Sequence, residues 1–233
     1  MHVGILKCDT VRDEFLPRFG DYPGMFRTLL DGVDADLSYT VYDVCNDDYP
    51  PTTDACDAYL VTGSRWGVYD DQRWIPLLAD YIRKLHSERR RMVGICFGHQ
   101  LISLALGGHA EKSHKGWGVG VATVKVHEQP SWMNPVREEF SLVVSHQDQV
   151  TELPPGAQCI ASSDFCAYAA LTIDDNVLTF QGHPEFGHEL SRTLMEWRQD
   201  VVGEKRTAAG MESLRTPVHD LDVARWMVTF LRR

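Results

Sequence analysis

The first half of the chain alternates short apolar runs with amphipathic stretches. His2–Cys8 reads as a strand and Tyr22–Leu30 as a short helix. Leu37–Val44 alternates apolar and polar side chains, the period of a half-buried strand. Ala58–Thr62 is a further strand that ends at Gly63-Ser64. Ile75, Leu78, Ile82 and Leu85 recur at three- and four-residue spacing and mark one face of a longer helix. Met92–Ile95 follows as a buried strand, and Phe97–Leu106 as a helix stopped by Gly107-Gly108. Strand–helix–strand alternation of this kind predicts an α/β fold, a parallel sheet with helices on both faces.

After Gly108 the texture changes. Val119–Val126, Ser141–Val144, Cys159–Ala161, Tyr168–Ile173 and Val177–Phe180 are short, strand-like and separated by turn residues. Two further helices are expected to close the chain, the last with Val223, Met227, Phe230 and Leu231 as an apolar stripe for docking on the core. No repeat, low-complexity segment or linker interrupts residues 1–233, which read as a single domain.

Composition narrows the class. With 233 residues, 43% apolar and 24% charged, the chain is an ordinary globular protein, and disordered or fibrous classes drop out. No apolar run approaches the roughly 20 residues of a membrane span, so no membrane partner is expected. The N-terminus lacks the features of a signal peptide and reads as a strand, so a cytoplasmic protein is expected. The net charge is −10, and residues 1–80 hold 15 of the 33 acidic side chains but only 6 of the 23 basic ones. Such a surface repels phosphate backbones and speaks against nucleic acid as a partner. The basic cluster of Arg83, Lys84, Arg89, Arg90 and Arg91 closes a predicted helix, where cations complement its negative end. Cysteines 8, 45, 56, 96, 159 and 166 form no C-x-x-C and no Cys/His cluster with zinc spacing. No metal, cofactor or disulfide framework is expected.

One cysteine differs from the others. In Arg91-Met-Val-Gly-Ile-Cys-Phe-Gly-His-Gln100 an apolar strand runs directly into a helix, with Cys96 at the junction and Gly94 and Gly98 two residues to either side. That is the layout of a nucleophile elbow with Cys in place of Ser. The helix N-terminus favours a thiolate and leaves the Phe97 N–H free to hold an oxyanion. A cysteine nucleophile also needs a base held by a third group. His99 lies three residues along the same helix and points up it rather than across to the thiol. In Val177-Leu-Thr-Phe-Gln-Gly-His-Pro-Glu-Phe186, by contrast, an apolar strand ends at Gly182 and His183 and Glu185 emerge at its edge. Gly116-Trp-Gly-Val-Gly120 superficially matches a phosphate loop, but strand-like alternation follows it rather than a helix. Trp66 and Trp117 fall in segments expected to border the site.

G-I-C-F-G-H-Q followed by H-P-E resembles the triad-type class I glutamine amidotransferases, and the similarity spans nearly the whole chain. The resemblance implies a flavodoxin-like three-layer αβα fold with a mostly parallel central sheet, plus a small antiparallel strand region. It also implies that Cys96 attacks a γ-carboxamide to form a γ-glutamyl thioester, with His183 and Glu185 completing the triad. The oxyanion hole would combine the Phe97 N–H with an N–H from Val61-Thr-Gly-Ser-Arg65, where Gly63 and Ser64 both qualify. Substrate contacts carry over to Gln100 and to Ser145, His146, Gln147 and Asp148. In that last segment Gln147 replaces the glycine of GMP synthetase glutaminase domains.

The chain has no P-loop, no pyrophosphatase signature and no room for a synthetase, so it resembles the stand-alone, GMP-synthase-like branch. Two enzymatic readings follow. In one, the isolated protein hydrolyses small-molecule γ-glutamyl amides, glutamine or γ-glutamyl peptides. In the other, it is a glutaminase subunit supplying ammonia to a separate synthetase. A non-catalytic binding or regulatory subunit is a third reading, opposed by the intact Cys96, His183 and Glu185. Absence of a second catalytic module, together with Gln147, favours the first.

Overall fold

A computed structural model describes residues 1–233. The first half builds β1 (His2–Lys7), α1 (Leu16–Phe19), α2 (Tyr22–Asp31), β2 (Ser38–Asp43), β3 (Ala58–Val61), α3 (Trp74–Ser87), β4 (Arg91–Ile95) and α4 (Phe97–Ala105). Strands β5 (His109–Lys112), β6 (Gly118–Val126), β7 (Glu139–His146), β8 (Asp148–Glu152), β9 (Ala157–Ser162), β10 (Ala170–Ile173) and β11 (Val177–Phe180) follow. Helices α5 (His188–Trp197), α6 (Gln199–Val202), α7 (Glu204–Ser213) and α8 (Asp220–Leu231) end the chain.

Nine strands form one sheet in the order β2-β1-β3-β4-β11-β10-β9-β6-β7. β2, β1, β3, β4 and β11 are parallel, and β10, β9, β6 and β7 extend the sheet antiparallel. β5 and β8 pair as a separate antiparallel ribbon. The parallel part matches the flavodoxin-like order, in which the chain winds outward in both directions from β1 and β3.

Each face of the sheet is covered by the helices whose apolar stripes fit it. Ile75, Leu78, Ile82 and Leu85 of α3 are all buried, and with Phe97, Leu101 and Ile102 of α4 they form one core. On the other face Phe26 and Leu30 of α2 meet Val223, Trp226, Met227 and Phe230 of α8. Helix α2 starts where the Asp21 carboxylate accepts the Gly24 N–H at 2.8 Å, an N-cap. Asp220 and Asp222 in the first turn of α8 complement its positive end.

The short α1, which buries none of its residues, was not foreseen, and the structure departs from the sequence expectation in two larger places. β5 and β8 were not foreseen, because only Ala110 of His-Ala-Glu-Lys is buried and β8 opens and closes on acidic residues. The region after His188 also holds more helices than the two expected. The chain breaks at Arg198 and again at Gly203, which has φ of 88°, and α7 buries only Thr207 and Gly210. With so weak an apolar stripe, periodicity had little to report. No helix is long and apolar enough to cross a membrane.

Candidate active site

The sheet register brings three separate sequence segments to one edge. β4 lies between β3 and β11, with Val61 opposite Gly94 and Phe180 opposite Ile95. All three strands run in the same direction, so the segments after Val61, Ile95 and Phe180 leave the sheet side by side at its carboxyl end. Ligand sites in open α/β sheets form at such edges. The Cys96 N–H donates to Phe180 O at 2.8 Å, which ties the β4 end to the β11 end.

Cys96 has φ of 52° and ψ of −99° and caps α4. A non-glycine residue in that region costs of order 1–3 kcal/mol, and the surrounding packing must hold it there. Gly94 and Gly98 are what permit the turn. A Cβ on Gly94 would lie 2.8 Å from the Gly98 carbonyl oxygen, and one on Gly98 would lie 2.4 Å from the Val61 carbonyl oxygen. Only bare backbone lets strand, elbow and helix pack this closely.

His183 is fixed from three sides. Its N–H donates to Val143 O of β7 at 2.8 Å, and the Nδ1 atom lies 2.7 Å from Glu185 Oε1. The ring stacks on Phe186 with centroids 4.0 Å apart and planes 6° from parallel. Burial works against a charge on this imidazole, but the Glu185 carboxylate and Cys96 outweigh it, and His183 is pushed up to about 10. Both neighbours thus favour the charged form of the His183 ring. His99, the other histidine near Cys96 in sequence, is fully buried with Nδ1 2.8 Å from Thr179 Oγ1. Burial and neighbouring His146 push it down to about 3.

These residues border a cleft of about 530 Å³ that includes Gly63, Ser64, Cys96, Gln100, Ser145, His146, Gln147, Asp148, His183 and Glu185. The backbone N–H groups of Gly63 and Ser64 make no hydrogen bond within the protein. Phe97 opens α4, where the helix offers its N–H no partner. Gln100 donates from Nε2 to Asp148 O at 2.8 Å and to Gln181 Oε1 at 3.1 Å. Burial pushes His146 down to about 4, and its Nδ1 faces Asp148 O at 3.0 Å. Burial likewise raises the Asp148 carboxyl. All the predicted site residues except Phe97, whose side chain packs against Trp74, line this one cleft.

The model of the class-I glutamine amidotransferase family matches residues 36–198, most of the chain. The chain belongs to that family. A glutamine amidotransferase-like protein of Schizosaccharomyces pombe is 29% identical over 99% of this chain and 98% of its own length. Gamma-glutamyl peptidase 4 of Arabidopsis thaliana is 30% identical over 80% of this chain and 76% of its own. The crystal structure of a glutamine amidotransferase from Thermotoga maritima superposes with a TM-score of 0.74 at 16% identity, covering 100% of this chain and 97% of that one. At that identity the likeness establishes the fold.

Several residues in or beside this amidotransferase cleft were not singled out from sequence. Gln181 donates from Nε2 to Cys96 Sγ at 3.6 Å, linking Gln100 to the thiol through one amide. Asp9, two residues past the end of β1, takes the Arg65 N–H at 2.8 Å and the Arg65 guanidinium, which pins the loop carrying Gly63 and Ser64. Arg198, at the break between α5 and α6, reaches the cleft and donates to Ser145 Oγ at 3.2 Å. Each lies far in sequence from what it touches, and no local pattern marks it. Trp66 and Trp117 border the cleft as expected.

Proposed function

We propose that this protein cleaves a γ-glutamyl amide bond through a γ-glutamyl thioester on Cys96, acting without a synthetase. The observation that carries the reading is the strained Cys96 at the mouth of α4, in one cleft with a buried His183–Glu185 pair. The similarity to a gamma-glutamyl peptidase supports the same substrate class.

In this reading the Cys96 thiolate attacks the amide carbon, and the charge that develops on oxygen is met by the Phe97 N–H and an N–H of Gly63 or Ser64. Both loop groups are free for that role, and each oxyanion donor is worth about 10²–10³ in rate. His183 protonates the departing amine, and the C–N bond breaks to leave the thioester. A water then attacks the thioester with His183 taking its proton, which releases a free γ-carboxylate and the thiolate. Glu185 orients the imidazole and stabilises its charged form.

The test is steady-state hydrolysis of glutamine and a panel of γ-glutamyl dipeptides by the purified protein alone, with rapid-quench mass spectrometry of the peptide containing Cys96. Turnover with a γ-glutamyl adduct on Cys96 is the expected result. Slow turnover of every substrate, raised a hundredfold for glutamine by an added synthetase, would favour the ammonia-supplying subunit instead. Failure to bind or turn over any of them, with or without a synthetase, would leave a non-catalytic role.

A further inference from the structure

We propose that Arg198 is the residue that binds the α-carboxylate of the γ-glutamyl half, and that it selects for substrates carrying one. The inference rests on the γ-glutamyl reading for the chemistry of the ligand and on separate observations for the residue.

Arg198 is a half-buried guanidinium with no carboxylate within salt-bridge distance, although other arginines, among them Arg65, Arg137 and Arg232, are paired with one. Its one hydrogen bond is to a neutral group, Ser145 Oγ. The guanidinium lies over the rings of Trp117 and Trp197, 5.6 and 5.7 Å from their centroids, which hold it in place without neutralising it. Tyr22, Cys96, Asp9 and Arg12 are the charged or titratable groups that reach it. Asp9 is already engaged by Arg65, and Arg12 repels it. Burial disfavours the charge, yet a guanidinium does not lose its proton in a protein. A desolvated, unpaired cation opening onto a cleft is complete only when an anion arrives.

The cleft also fixes which anion fits. Ser145, the partner of Arg198, is at the end of β7, and Asp148 opens β8 three residues later. Asp148 makes no salt bridge and lines the same cleft; burial raises its carboxyl, against a hydrogen bond from Tyr69 and the attraction of Lys112, which also borders the cleft. Arg198, held by Ser145, and Asp148 thus stand on either side of Gln147 in the cleft that holds Cys96, without pairing with each other. A free amino-acid end, with its α-carboxylate next to its α-ammonium, supplies the anion that Arg198 lacks and offers its cation to Asp148. Arg198 presents a planar fork suited to two-point contact with a carboxylate.

The test measures ligand binding by calorimetry to Cys96→Ala protein, with and without Arg198→Gln or Arg198→Lys. Ligands are glutamine, 4-aminobutyramide (glutamine without its α-carboxylate) and γ-glutamylglycine. In the Arg198 background glutamine is expected to bind at least tenfold more tightly than 4-aminobutyramide. Arg198→Gln is expected to abolish that preference, and Arg198→Lys to restore part of it. Circular dichroism melting of each variant verifies that the fold is retained. If Arg198→Gln leaves glutamine binding unchanged but weakens γ-glutamylglycine, the residue holds a carboxylate of the leaving half and the inference is wrong. An unchanged preference in Arg198→Gln also overturns it. The hydrolytic reading fails separately, if the preference depends on Arg198 as expected while the intact protein turns over none of these ligands.

Discussion

Gly98 sits directly against Val61, so that a Cβ on the glycine would lie 2.4 Å from the valine carbonyl oxygen and 3.0 Å from its Cβ. The contact joins the first turn of α4 to the end of β3, and through them the Cys96 elbow to the loop of Gly63 and Ser64. Backbone on both sides leaves no flexible side chain to move aside. Gly98→Ala is therefore expected to push α4 away from the sheet, costing about 1–3 kcal/mol of stability. It should also lower kcat at least a hundredfold, since the thiol and the unpaired N–H groups would separate. Denaturant unfolding and steady-state kinetics check both. A variant that unfolds like wild type and keeps its kcat would show that the elbow does not depend on this approach.

The six cysteines should differ sharply in reactivity. Burial raises Cys8 well above its ordinary value and Cys45 and Cys166 to about 12, while Cys56 and Cys159 are raised as well. Thiols pushed up in this way hold little thiolate at neutral pH. Cys96 instead opens onto the cleft at a helix N-terminus. A glutamine-like diazo-ketone is expected to label Cys96 and spare the other five, as read by peptide mass spectrometry. Cys96→Ser should lose several orders of magnitude in kcat, because a serine hydroxyl needs a stronger base than this site offers. Labelling at another cysteine would remove the thiol from its assigned role.

His183 and Glu185 should behave unequally on mutation. His183→Ala is expected to cost nearly as much as the loss of Cys96, since groups acting as one unit are not additive. Glu185→Gln should cost less, because the backbone bond to Val143 and the stack on Phe186 still orient the ring. His99→Ala removes a buried ring bonded to Thr179 and should reduce stability while sparing the chemical step. Single-turnover acylation rates separate these outcomes. Normal acylation in His183→Ala alongside its loss in His99→Ala would reverse the assignment.

What the sequence made legible follows from how local each signal was. The α3 stripe from Ile75 to Leu85, the elbow around Cys96 and the strand running into His183 each lie within about a dozen residues, so period and punctuation suffice. The pairing of β4 with β11 was not readable locally, and the family resemblance stood in for it. Arg198 and Asp9 were invisible for the same reason, since their partners Ser145 and Arg65 lie 53 and 56 residues away. The ribbon of β5 and β8 was missed because its polar side chains carry little alternation.

The charge on His183 gives a pH signature with a definite sign. Its folded value of about 10 stands above the ordinary 6.5, because Glu185 and Cys96 outweigh the cost of burial. The folded state therefore holds this proton more tightly than the unfolded chain does. The resulting stabilisation is complete below pH 6.5 and is lost as pH rises through about 10. His99 and His146 act in the opposite sense. Burial lowers them to about 3 and about 4, so their contribution is present above 6.5 and is lost as pH falls below it. Melting temperature measured across this range for wild type and His183→Gln isolates the first effect, because other alkaline titrations are common to both. Wild type is expected to lose its advantage between pH 6.5 and about 10, and kcat should decline over the upper part of that window as the proton for the leaving amine disappears. A difference in melting temperature that stays constant from neutral to alkaline pH would mean that His183 is neutral at rest. Glu185 would then be positioning the ring without holding its charge.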